Sequence, residues 1–320
     1  MKKLLITTGI FLSLLFVSCE EDFSPRSEFK ERYILNCILR TDTAFQTATI
    51  LRSYNVPGYD GYANTDDPFI TAADFRIWQG DNVYKLRDSS IQRSDTSRYN
   101  TPIKFYYLKN FQPASNDSIA VRVVLNNGKK LFASTRIPSE IKFGLDSDKS
   151  LPPENKSTFI FTWQSEELFT YYLPRLRFFY EKKTDSTTTL MSKVVPIKFV
   201  QNGNQWEPVY PIISSNNKII YQNSALDSAM AEISKGDPNK NNYKIFGANL
   251  ELLVFDRNLT NYYSSINGFL DDFTIILNEP DYSNIEGGFG IFASYIKQNS
   301  GALIKKEYVE SFGYKSGLTN

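Results

Sequence analysis

Ser118-Ile119-Ala120-Val121-Arg122-Val123-Val124-Leu125-Asn126-Asn127-Gly128-Lys129-Lys130-Leu131-Phe132-Ala133-Ser134-Thr135 is the stretch from which the fold class is read. Ile119, Val121, Val123 and Leu125 fall at every second position, so an extended chain puts them on one face and their more polar neighbours on the other. Asn126-Asn127-Gly128 tolerates the positive φ of a tight reversal, and Leu131 to Thr135 returns, which together predict a β-hairpin. Toward the N-terminus the same short runs of aromatic and β-branched residues recur at Lys104–Leu108, Val83–Leu86, Phe75–Trp78, Thr47–Tyr54 and Tyr33–Leu39. Several such strands separated by turn residues predict an antiparallel β-sandwich over residues 32–143.

Residues 144–156 are polar and contain Pro152-Pro153, so they read as a linker to a second β-rich domain over 157–320. Phe159-Ile160-Phe161-Thr162-Trp163 and Tyr171 to Tyr180 open that domain's sheet, and Leu176 and Phe178 alternate with Arg175 and Arg177 in the pattern of a half-buried strand. Phe-Thr-Trp followed by a tyrosine-rich strand resembles the start of a fibronectin type III core, in which a strand tryptophan fills the space between sheets. The expected fold is therefore mainly β, two antiparallel sandwich modules of the immunoglobulin or fibronectin type III kind. The second module carries inserted helices near 224–235, with Leu226, Met230 and Ile233 on one face and Gly236 at its end, and near 259–267. Strands are expected at Ala248–Phe255 and Phe273–Leu277.

The N-terminus reads as an export signal. Lys2 and Lys3 precede an apolar run from Leu4 to Val17, and Ser18-Cys19 places a cysteine directly after a small residue, as in a bacterial lipobox. The run is shorter than the roughly 20 residues that span a bilayer core. Residues 1–19 are thus expected to be a lipoprotein signal ending at Cys19, whose thiol takes the lipid, with 20–31 as a tether. Several acyl chains on one cysteine anchor stably, because each buried methylene contributes about 0.8 kcal/mol. Glu20-Glu21-Asp22 resembles the acidic export tags that follow the lipidated cysteine in Bacteroidota surface lipoproteins, which implies an outer-membrane anchor facing the cell exterior. Cys37 is then the one remaining thiol, inside the apolar run Tyr33 to Leu39, and reads as a small buried hydrophobe.

Composition excludes several chemistries. The chain has 36 basic and 35 acidic residues, so no field of one sign invites nucleic acid. It contains no histidine, which removes Ser-His-Asp and Cys-His catalysis and the usual histidine-containing zinc sites from within the chain. No cofactor or metal is expected. The adjacent acids Glu166-Glu167 and Asp271-Asp272 point apart in either regular conformation, whereas glycosidase chemistry needs two carboxylates facing one bond. Asp60 to Asp67 and Asp146-Ser147-Asp148 are oxygen-rich but lack EF-hand spacing, and read as turns. Aromatic residues make up 15% of the chain. Trp78, beside Gln79-Gly80-Asp81, and Trp206, beside Asn202-Gly203-Asn204, are the candidate ligand-contact residues.

Asn278-Glu279-Pro280 and Asn284-Ile285-Glu286-Gly287-Gly288-Phe289-Gly290-Ile291-Phe292 resemble the end of an uncharacterised Bacteroidota outer-membrane lipoprotein family, a domain of unknown function with an Asn-Ile-x-Gly-Gly-x-Gly-x-Phe segment. The resemblance implies an accessory protein of a TonB-dependent outer-membrane transporter and brings no catalytic residues with it. Gly287, Gly288 and Gly290 themselves read as a tight turn with close backbone approach, because no helix N-terminus or lysine follows to build a phosphate loop. The expected function is non-catalytic capture of a nutrient, such as a glycan or peptide, at the cell surface. A carboxylate-dependent glycan hydrolase and a structural adhesion or envelope-assembly protein are the alternatives.

Overall fold

The computed structural model describes residues 29–55, 64, 67–97, 99, 101–167, 170–184, 186–267 and 282–317. Cys19, Asp271-Asp272, most of Asp60 to Asp67 and the expected strand Phe273–Leu277 lie outside the described residues. The first half supplies β1 (Tyr33–Arg40), β2 (Gln46–Arg52), β3 (Asp74–Gln79), β4 (Asn82–Lys85), β5 (Arg87–Ile91), β6 (Ile103–Leu108), β7 (Ser118–Val124) and β8 (Lys130–Arg136). Then come the two-residue strands β9 (Lys142–Phe143) and β10 (Ser150–Leu151), followed by β11 (Thr158–Gln164), β12 (Tyr172–Lys183), β13 (Thr188–Val194), β14 (Lys198–Asn202), β15 (Gln205–Val209) and β16 (Lys218–Gln222). Helix α1 (Asn223–Ala231), strand β17 (Tyr243–Phe255), helix α2 (Arg257–Asn267), strand β18 (Phe289–Ile304), helix α3 (Lys306–Ser311) and strand β19 (Lys315–Ser316) complete the described chain.

The hairpin at 118–135 forms with Val121 opposite Ala133 and Val123 opposite Leu131, and Gly128 takes φ +81° at its turn. It belongs to a four-stranded sheet in the order β4-β3-β7-β8. Alternate residues of β1, namely Tyr33, Leu35, Cys37 and Leu39, are buried, as are Phe75 and Ile77 of β3 and Ile119, Val121 and Val123 of β7, and all belong to one core. Tyr106 of β6 spans the gap: its ring lies 5.2 Å from that of Phe75, and its hydroxyl accepts the Ala73 N–H at 3.0 Å.

The second layer pair is built the same way. Phe159, Phe161 and Trp163 of β11 and Tyr221 of β16 lie in a three-stranded sheet, β16-β11-β9, and pack with Leu176 and Phe178 of β12 and Leu250 and Leu252 of β17. Trp163 is buried, edge-on to Tyr172 with ring centroids 5.5 Å apart. Of the expected helix at 224–235, Asn223–Ala231 is α-helical and Glu232–Ser234 continues as a 3-10 turn, burying Leu226, Met230 and Ile233.

The large sheet runs β13-β12-β17-β18-β1-β2-β6-β5, with β10 and β19 added alongside β18 and β17. Strands from both sides of residues 144–156 therefore share one hydrogen-bonded sheet. The join is β18, sixteen residues long: Phe289–Tyr295 pairs in parallel with β1, and Tyr295–Ala302 pairs antiparallel with β17. Two sandwich-like layer pairs are present, but β11 and β12 do not open one common sheet as the sequence led us to expect. They face each other across a core, because β12 joins β17 and, through it, the strand shared with the first half. The expected linker is also packed: Leu151 of β10 is buried and pairs with Ile304, while Asp148 accepts bonds from the Ile160 N–H at 3.0 Å and the Lys156 ammonium at 2.9 Å.

The glycine-rich segment ties the four-stranded sheet to this strand. Glu286 exchanges backbone hydrogen bonds with Phe132 of β8 at 3.0 and 2.8 Å, and three residues later β18 enters beside β1. A β-carbon would lie 2.3 Å from the Lys130 carbonyl oxygen on Gly287 and 2.1 Å from that of Leu35 on Gly290, and these residues have φ of +82° and +103°. Close backbone approach, together with left-handed geometry, requires glycine here.

Candidate functional site

Alternation along β12 sends Leu176 and Phe178 into the core and Leu173, Arg175 and Arg177 to the opposite, outer face of the large sheet. On that face a second, smaller core forms from Phe255, Leu259, Ile291 and Ala293, with Leu173, Ile213, Tyr262 and Tyr263 packed against it. Helix α2 covers it. Asp256, just before the helix, accepts the Leu259 N–H at 2.7 Å through its side chain and the Thr260 N–H at 2.9 Å through its carbonyl, capping the first turn. The same carboxylate accepts hydrogen bonds from the hydroxyls of Thr135 on β8 and Ser294 on β18. Burial pushes the Asp256 carboxyl up to about 6, and those hydrogen bonds pull the other way. Neither its environment nor its role was legible in the sequence.

Beside this covered patch the outer face opens into a groove of about 1010 Å³, the size of a small-molecule site. Leu173, Arg175 and Arg177 form its floor, Val194 of β13 closes one side, and residues 210–215 form the opposite wall with Tyr171 and Tyr263 at one end. The wall follows from local chemistry: Pro211 has no N–H to donate and ends the β14–β15 hairpin. The chain is then pinned where the Ile197 N–H meets the Val209 carbonyl at 2.7 Å and Tyr172 and Ser214 exchange backbone bonds at 2.8 and 3.1 Å. Between those pins Tyr210 and Ile212 stay exposed, Ile212 at 78%. Within β12, Pro174 likewise offers no donor at the edge between Ser214 and Val195, the latter of which donates to the Leu176 carbonyl at 2.9 Å, so the sheet edge is interrupted at the groove.

Charge on the floor is unevenly matched. Glu251 of β17 takes the Arg177 Nε on one carboxylate oxygen and the Lys297 ammonium on the other, each at 2.9 Å. Burial alone raises the Glu251 carboxyl, but hydrogen bonds from Lys297 and Arg177 outweigh it and leave the group below its ordinary range. Arg175 is aligned directly opposite Glu251 in the strand register, yet the ion pairs of Glu251 go to Arg177 and Lys297 and not to Arg175. Burial raises the Tyr263 hydroxyl, keeping it a protonated donor at the end of the groove.

The residues singled out from sequence lie elsewhere. Trp78 is half-buried on β3, and Trp206 is 66% exposed on β15 opposite Gln201; they occupy different sheets and neither lines the groove. Glu167 accepts the Ser139 N–H at 2.7 Å and so ties two loops together. Cys37 is buried and burial pushes its thiol up to about 12. Among the described residues no group of three or more potential metal-ligating side chains is present, and no helix is long and apolar enough to cross a membrane. Of the groove, the sequence marked the Arg175/Arg177 alternation; the wall at 210–215 and Tyr263 carried no signal beyond an apolar run ending a hairpin.

Fold and site together define a mainly β protein of paired sheets with an open, arginine-floored groove on the outer face of its largest sheet. Residues 20–300 match the family described as Domain of unknown function (DUF4249), and the chain belongs to that family. No curated protein matches it.

Proposed function

We propose that this chain is a Bacteroidota outer-membrane lipoprotein, anchored through Cys19 and facing the cell exterior, that captures a ligand and works beside a TonB-dependent transporter without catalysis of its own. The groove on the outer face of β12 carries this reading. It is preformed, apolar over most of its lining, and supplied with a few polar groups, as binding sites for small ligands are. Among the described residues its lining presents two guanidinium groups rather than the facing carboxylates that glycoside hydrolysis uses, which supports capture over the hydrolase alternative. The lipobox and the acidic residues after it support the anchor.

A mild-detergent pull-down of the tagged protein from its native outer membrane, with quantitative mass spectrometry, tests the partner. A β-barrel transporter recovered at near-stoichiometric yield is expected, and recovery of the lipoprotein alone counts against the accessory role. Metabolic labelling with an alkynyl palmitate tests the anchor: the wild-type chain takes up label, and Cys19→Ala abolishes both the label and membrane retention. A Cys19→Ala chain that stays labelled and membrane-bound excludes this anchor.

A further inference from the structure

We propose that the groove recognises an apolar, ring-bearing carboxylate, with Arg175 as the anchor for its charge. This inference rests on the capture reading and names the ligand chemistry of the same site. Two cations, Arg177 and Lys297, share the Glu251 carboxylate, whereas Arg175, although aligned opposite Glu251 in the strand register, forms no ion pair with it. Arg175 has no ion-pair partner among the described residues and is exposed on the groove floor. A guanidinium presents a planar fork that matches a carboxylate in two parallel hydrogen bonds, and removal from bulk water by a bound apolar body strengthens that pair.

The rest of the lining selects the body of the ligand. Tyr171, Tyr210 and Tyr263 line the groove with aromatic side chains, and Ile212 and Ile213 with aliphatic ones, so a ring-bearing ligand gains apolar burial and aromatic contact. A hydrated polyanion would leave most of that surface wetted. One charge on an apolar frame is the combination the groove complements.

Calorimetric titration of the full mature chain with 2-naphthoate and with its neutral counterpart 2-naphthamide at low ionic strength tests the proposal. Naphthoate is expected to bind roughly tenfold more tightly than the amide, the size of a charge-assisted hydrogen bond. Arg175→Gln is expected to erase that preference while leaving amide affinity in place, and Ile212→Asp to weaken both ligands. Both substitutions fall on exposed side chains and leave the fold intact, which circular dichroism checks. Equal binding of the two probes, lost in Ile212→Asp, overturns the carboxylate and leaves capture standing. A preference that survives Arg175→Gln overturns Arg175 as the anchor, and absence of binding by either probe overturns the inference and removes the groove's support for capture as well.

Discussion

Asp256 concentrates more of the fold's polar bonding than any motif in the sequence announces. Its folded carboxyl sits near 6 against an ordinary 3.8, so between those values the folded chain keeps a proton that the unfolded chain has released. The resulting stabilisation is fully present below about pH 4 and is lost as pH rises through about 6, a change of roughly 3 kcal/mol. Urea unfolding from pH 4 to 7.5 should show this fall, and Asp256→Asn, which keeps the cap oxygen, should flatten it; an unchanged slope in the variant places the titration elsewhere. Glycines give a paired test. Gly290→Ala puts a β-carbon 2.1 Å from a backbone oxygen at positive φ and is expected to cost roughly 3 kcal/mol, whereas Gly203→Ala, with φ +59° and open space around it, should cost about 1 kcal/mol. Equal losses in denaturant midpoint would show that close approach is not the constraint.

At the scale of elements, the hairpin β14–β15 and the helix α2 differ in what holds them. The hairpin forms its own two-stranded sheet, and its strands are mostly exposed; Trp206→Ser should therefore change stability by less than about 0.5 kcal/mol. Leu259 of α2 is 2% exposed in the smaller core over the outer sheet face. Leu259→Ala is expected to cost about 3 kcal/mol and, because Tyr263 on the same helix lines the groove, to weaken groove ligands as well. Thermal unfolding of both variants checks this; a Trp206→Ser loss as large as that of Leu259→Ala would mean the hairpin is held by packing beyond its own strands.

For the whole molecule, the shared strand β18 has the largest consequence. It carries parallel pairing to β1 and antiparallel pairing to β17, and buried residues from both halves form one core. Differential scanning calorimetry should accordingly give one cooperative transition with matching calorimetric and van't Hoff enthalpies. A fragment of residues 29–143, which leaves β1 without its β18 partner, should lack a cooperative transition by circular dichroism. A folded fragment would restore the picture of two independent sandwiches.

Alternation, turn residues and helix ends were legible locally. The hairpin at 118–135, the paired layers, the helix near 224–235 and the tight glycine segment before β18 all follow from patterns a few residues long, because side-chain direction and permitted φ are local properties. The same alternation placed Arg175 and Arg177 on one face of β12. It does not say which strand lies alongside, and β1 and β18 meet across more than half the chain length, where the choice depends on which pairing buries both faces of the sheet at once. That long-range pairing merged the halves, while other non-local contacts, the hydroxyls of Thr135 and Ser294 on Asp256, the Tyr172–Ser214 backbone bonds and the packing of α2, buried Asp256 and brought β12, residues 210–215 and Tyr263 around one groove. A cavity belongs to surfaces that have already packed, so its position came from tertiary structure while the chemistry lining it was written in the chain.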